Sequence, residues 1–150
     1  MDLTRINGLA VTSVLSEIGP DLSRFASVKH FCSWLGLCPG TKISGGKVLS
    51  ARTRRSVNRA RQALKMAAMS LSRNGSALGA FYRRMCARMD KPRANTATAH
   101  KLARMVYFML TRGEDFVDQG QQHYEERSVA ALKRRAAALG FLIAPTEVPA

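Results

Sequence analysis

Residues 38–47 have the clearest capacity for chemistry. They are rich in turn formers, and within them Ser44 is followed by Gly45 and Gly46 and flanked by Lys42 and Lys47. Backbone built from glycine can approach a ligand closely. A serine that attacks phosphorus needs a hydroxyl that reaches the target and cations that stabilise charge on the pentacoordinate transition state. The segment supplies both. It supplies no adjacent His or carboxylate to act as base, and by spacing alone a Ser-Gly-Gly loop reads first as a turn.

Residues 50–61 follow, with Arg52, Arg54, Arg55, Asn58, Arg59 and Arg61. Guanidinium forks suit phosphate oxygens, and no acid is interleaved to make ion pairs along a helix. The wider charge pattern agrees. Net charge is +14, and no Asp or Glu lies between Asp21 and Asp90, an interval with 14 Lys and Arg. Such a field points to a polyanionic partner rather than to a solvated helix face. A third site is the turn at Asn7 and Gly8 before a helix start, where free backbone N–H groups face an anion. With a helix upstream, this turn would complete a helix-hairpin-helix unit of the kind that holds phosphodiester backbones without reading sequence.

Other candidates are weaker. His30, His100 and His123 lack metal-ligand spacing, as do Cys32, Cys38 and Cys86, whose odd number and apolar settings suit reduced, buried thiols. Glu114, Asp115 and Asp118 sit where capping and solubility explain them better than metal binding. Tyr124 lies beside Glu125 and Glu126, which would repel a phosphate. No metal site is expected in the chain. No apolar run reaches membrane-spanning length and the N-terminus lacks a signal-peptide pattern, so a cytoplasmic setting without membrane partners is expected.

The elements that must position these groups read as helices. With 46% hydrophobic residues, mostly Ala, Leu and Met, the chain can build a core. Apolar spacing places helices at about 10–18, 27–35 (capped by Ser27, burying Phe31, Trp34 and Leu35), from 53 to Asn74-Gly75 (capped by Ser50 or Thr53), and 76–88. Residues 90–93 read as a connector. A helix capped by Asn95 then runs to Gly113. Beyond it lie acidic residues, an interruption at Gly120 and a last amphipathic helix carrying Val129, Leu132, Ala136 and Leu139. The expected fold is all-α: a helical domain with a partial N-terminal helix-hairpin-helix, a central Ser-Gly-Gly loop or short ribbon, and a C-terminal amphipathic helix. Residues 1–113 would form the core, and 114–150 an acidic linker and helix of the same domain.

Taken in order, LTRINGLAVTSVLSEIG, FASVKHFCSWLGLCPG, SGGKVLSARTRRSVNRARQALKMAA, SALGAFYRRM, TATAHKLARMVYFML and GQQHYEE resemble the C-terminal domain of insertion sequence 110 family (DEDD) transposases over nearly the whole chain. The resemblance implies DNA transposition, a form of DNA recombination, with Ser44 as nucleophile in a phosphoserine link to DNA. It implies that Gly45 and Gly46 shape the loop and that Arg52, Arg54, Arg55 and Asn58 contact nucleic acid; Lys42, Lys47 and Arg59 extend that basic surface. It further implies a RuvC-like domain with magnesium on four acids, a guide RNA encoded by the element, and a homo-oligomer with shared active sites. The RuvC-like segment is missing from this sequence, which departs from the family there. The chain is therefore expected to be inactive without that domain and to carry no cofactor itself. The rival expectation is a non-catalytic nucleic-acid-binding remnant or regulator of an intact transposase. A basic amphipathic protein acting on membranes is disfavoured, because the apolar stripes read as belonging to a core and leave no face for lipid.

Overall fold

The computed structural model describes residues 8–19, 21–53, 57–113 and 119–144, with side chains from residue 13 onward. The fold is mostly helical. Helices α1 (Gly8–Ile18) and α2 (Val28–Trp34) come first, then a two-stranded antiparallel ribbon, β1 (Lys42–Ser44) and β2 (Lys47–Ser50). Helices α3 (Arg59–Ser70), α4 (Ala77–Arg88), α5 (Lys91–Arg112) and α6 (Gly120–Ala138) follow.

The core forms where α3 lies against α1 and α5, and α5 against α2 and α4. Its α3 face is small: Ala60, Ala63, Leu64, Ala67 and Ala68 are buried at helical spacing, which lets neighbouring helices approach closely. Phe31, Leu35, Thr98 and Leu102 are fully buried, and sealing a residue such as Phe31 from water is worth roughly 1.5–3 kcal/mol. Around Phe31 the rings of Phe25, Trp34 and Tyr107 gather with centroids 5.2, 6.4 and 5.7 Å away. The Tyr107 hydroxyl donates to the Phe25 carbonyl at 3.2 Å, tying α5 to the loop before α2. Trp34 is less buried than its spacing suggests, 39% exposed, with the Arg24 guanidinium 5.1 Å from its ring. Burial raises the Cys32 thiol to about 12, with Cys38 beside it as a lesser cause, so Cys32 stays a neutral, unreactive core group at physiological pH.

Caps define most helix starts. Ser27 accepts a hydrogen bond from the His30 backbone N–H, as the sequence suggests, and Ser76 accepts one from Gly79 N–H. Gly113 ends α5 in the left-handed conformation, at φ 63°.

Three expectations need correction. The third helix begins at Arg59, not near residue 53, and its cap is Asn58, not Ser50 or Thr53. Residues 50–53 are held elsewhere: Ser50 ends β2, the Arg52 carbonyl accepts from Gly40 N–H at 2.9 Å, and Thr53 bridges to Pro39. Next, Lys91 and Pro92 are the first turn of α5, where proline's missing N–H costs nothing. Asn95 is therefore an interior residue, buried with its Oδ1 unpartnered, and not a cap. Finally, the last helix, which starts at Gly120, buries no residue: Val129 and Leu132, and Leu139 at its end, are 49%, 56% and 69% exposed. Its apolar stripe does not join the core. Among the described residues no helix is long and apolar enough to cross a membrane.

Candidate nucleic-acid interface

The Ser44 loop folds as the tip of the ribbon. Gly45 and Gly46 take φ of 53° and 76°, the signs that a two-residue type I′ connection requires of both positions. Neither would meet a neighbour if given a Cβ, so conformation and not space selects glycine here. Ser44 pairs with Lys47 across the ladder, which puts hydroxyl and ammonium on one face with Cβ atoms about 5 Å apart. A register shift between Lys42 and Ile43 bends the strand below the tip. Residues 41–49 are all exposed, and the Ser44 side chain is open to solvent.

The ribbon is rooted at the rim of a groove of about 1370 Å³. Ser50, Ala51, Arg52 and Thr53 form that rim, α3 contributes Arg61 and Lys65, and α5 contributes Arg93, His100, Lys101 and Arg104. Phe81, Met105 and Phe108 provide apolar floor, and no acid lines it. Ser44 does not line the groove; its ladder partner Lys47 lies about 10 Å along β2 from Ser50, three residues at ~3.3 Å each.

Positive charge dominates the electrostatics. Among the described residues there is one ion pair, Arg93 to Asp90 at 3.2 Å, and it is exposed. Burial, with a lesser contribution from Arg104, lowers the His100 pKa below its ordinary 6.5. Burial also lowers the Lys101 pKa, with Arg127 adding to the effect. Lys101 lies over the Phe81 ring, 4.1 Å from its centroid, which offsets part of that desolvation.

His100 gives a pH signature. Its depressed pKa means the unfolded chain takes up a proton first, so the free domain loses stability as pH falls below 6.5 toward the folded value. A polyanion in the groove favours the protonated form and reverses the sign for binding. Affinity for a DNA oligonucleotide should rise as pH is lowered from about 8 to about 5.5, by no more than about tenfold per unit for one proton taken up. Fluorescence anisotropy across that range measures it, and His100→Asn should flatten the profile. A profile unchanged by that substitution would show that His100 does not sense the ligand.

The residues expected from sequence divide into groups. Lys42, Ser44, Gly45, Gly46 and Lys47 are together on the ribbon, and Arg52 lies on the groove rim. Arg59 opens α3 and is exposed, but is not part of the groove lining. Asn58 is buried at 7% exposure, and its side chain accepts from Arg61 N–H at 3.2 Å, so it positions α3. Gly8 is the first residue of α1, inside the helix and not in a turn before it. Asn7, Arg54 and Arg55 lie outside the described residues, as do the acids at 114–118. The α5 cations were missed. Residues 93, 97, 100, 101, 104 and 108 fall on one helical face, opposite the buried stripe of Leu102 and Ala103, and that periodicity was available in the sequence. Among the described residues no group of three His, Cys, Asp or Glu side chains could hold a metal ion.

A family model described as Transposase IS116/IS110/IS902 family matches residues 1–83. Those residues include the ribbon, α3 and the first turns of α4. No curated protein and no solved structure matches the chain.

Proposed function

Because the chain belongs to the IS116/IS110/IS902 family of transposases, we propose that it is the DNA-binding and nucleophile-bearing domain of such an enzyme. The observation that carries this reading is the acid-free cationic groove with an exposed, glycine-followed serine on the ribbon rooted at its rim. Phosphates lie along the groove against Arg52, Lys65, Lys101 and Arg104, while the ribbon presents Ser44 beyond it.

In the covalent step the Ser44 Oγ forms a bond to phosphorus and one bridging bond from phosphorus to a deoxyribose oxygen breaks. The seryl proton passes to a base, and the departing sugar oxygen takes up a proton. Lys47, on the Ser44 face, stabilises charge on the phosphoryl oxygens. Attack by another strand's hydroxyl on the phosphoserine releases the serine and completes strand exchange. The base and the magnesium-binding carboxylates belong, on this reading, to a RuvC-like domain outside this sequence, without which the chain binds but does not cut. That domain also accounts for the apolar surface of Ile43, Val48 and Leu49, all more than 60% exposed, which a free ribbon does not need. A guide RNA would use the same phosphate-binding surface, and a homo-oligomer would let one subunit's ribbon serve another's RuvC-like domain. The free backbone N–H groups in the first turn of α1, from Gly8 onward, add a further contact.

The groove is tested by anisotropy titration of the chain with labelled DNA. Lys65→Ala combined with Arg104→Ala should weaken binding about tenfold or more and lower the salt slope by about two, one per lost phosphate contact. Unchanged affinity and slope in a folded double variant would sink the groove as the DNA path.

A further inference from the structure

A second cationic cleft opens on the far side of Lys101. It has a volume of about 420 Å³, is formed by α4 and α6, and is lined by Arg84, Lys101, His123, Tyr124 and Arg127 with no acid. Glu125 and Glu126, on the same helix, are engaged instead with Gln121 and Gln122. The cleft is a built feature. Arg84 donates to the Ser128 hydroxyl at 2.9 Å and Arg83 to the Gln121 side chain at 2.6 Å, so two arginines of α4 hold α6 in place. The Tyr124 and Phe81 rings meet edge to face, with centroids 6.3 Å apart.

Lys101 joins the cleft to the groove. It lines both, and its ammonium lies 4.1 Å from the Phe81 centroid on the groove side and 5.5 Å from the Tyr124 centroid on the cleft side. A half-buried lysine facing Arg127 with no carboxylate at hand is electrostatically unfavourable in the free chain, and a phosphate would relieve it. A ring wall beside several cations is the combination that single-stranded nucleic acid uses: bases stack on the aromatic face and the backbone follows the charges. Duplex has no free base face to offer Tyr124.

We propose that a single-stranded nucleic-acid segment leaves the groove across Lys101 and enters the cleft between α4 and α6, its phosphates held by Arg84, His123 and Arg127 and a base stacked on Tyr124. This extends the reading of the groove as a nucleic-acid path and rests on it. The family match ends at residue 83, so Arg84, Lys101 and all of α6 are assigned from the structure alone.

The test is anisotropy with a single strand of about 20 nucleotides, beyond the ~4–16 that one binding fold covers, and a duplex of the same length, using the whole chain. Arg127→Ala removes a charge from an exposed side chain, and Tyr124→Leu removes the ring; circular dichroism checks that each stays helical. Each variant should weaken single-strand binding about fivefold or more, Arg127→Ala should also lower the salt slope, and Tyr124→Leu should leave duplex binding within about twofold. If both cleft variants bind the single strand as the parent does while Lys65→Ala with Arg104→Ala weakens it, the cleft proposal falls and the groove stands. If the cleft variants weaken binding and the groove variant does not, the continuous path falls together with the groove. Equal loss on duplex in Tyr124→Leu overturns the single-strand assignment.

Discussion

Replacing Ser44 with alanine should remove the covalent protein–DNA adduct formed when the chain is combined with a RuvC-like domain, by about 10³-fold or more, because the attacking atom itself is gone. DNA affinity should stay within about twofold, since Ser44 is neutral and does not line the groove. Its exposed hydroxyl supports no packing. The measurement is denaturing electrophoresis of labelled DNA after mixing, with peptide mapping of the adducted residue. An adduct that persists in Ser44→Ala, or that maps to another side chain, would remove Ser44 from the chemistry. If the parent chain forms no adduct with the added domain but blocks an intact transposase, the binding-only reading is the right one.

The second large effect concerns folding. Gly79 should not tolerate alanine, although alanine normally favours a helix over glycine by about 1 kcal/mol. A Cβ at Gly79 would run into the Asn74 carbonyl oxygen and come within 2.9 Å of the Leu71 carbonyl oxygen, both backbone atoms of the turn before α4. That turn cannot yield easily. Asn74 Oδ1 accepts from Ser76 N–H, Ser76 Oγ accepts from Gly79 N–H, and Arg83 donates to the Ser72 and Asn74 carbonyls. The expected loss is about 3 kcal/mol, or about 10 °C in melting temperature for a domain of this size. Gly75→Ala is the control: nothing lies within 4 Å of its Cβ position, and its cost should be below about 0.5 kcal/mol. Thermal denaturation followed by circular dichroism compares the two. Equal behaviour would show that α4 does not sit tightly on the turn. The effect reaches function because α4 carries Phe81 and Arg84, the walls of groove and cleft.

What could be read from sequence follows the range of the forces involved. The Ser27 cap and the Gly113 stop were legible because capping acts within one turn of chain. The start of α3 was not. Residues 50–53 fit a helix locally, but pairing with Pro39 and Gly40, more than ten residues away, draws them into the ribbon base. Pro92 misled in the other direction, since proline breaks a helix interior yet fits its first turn. The apolar stripe of α6 looked like core because periodicity tells which residues share a face, not whether anything covers it. The turn at the ribbon tip was legible from Ser44, Gly45 and Gly46 together. The groove needed the fold, because Arg52, Lys65 and Arg104 come from three separate elements.

The surplus of positive charge has a cost for the domain on its own. With a net charge of +14 and a single exposed ion pair among the described residues, the free fold is strained by self-repulsion. Sodium chloride screens that repulsion and so tightens the empty protein, while the same ions would compete it off the DNA proposed to fill the groove. Ionic strength thus pulls in opposite directions on compactness and on occupancy, and the buffer in which the naked domain is sturdiest is the one in which it grips least.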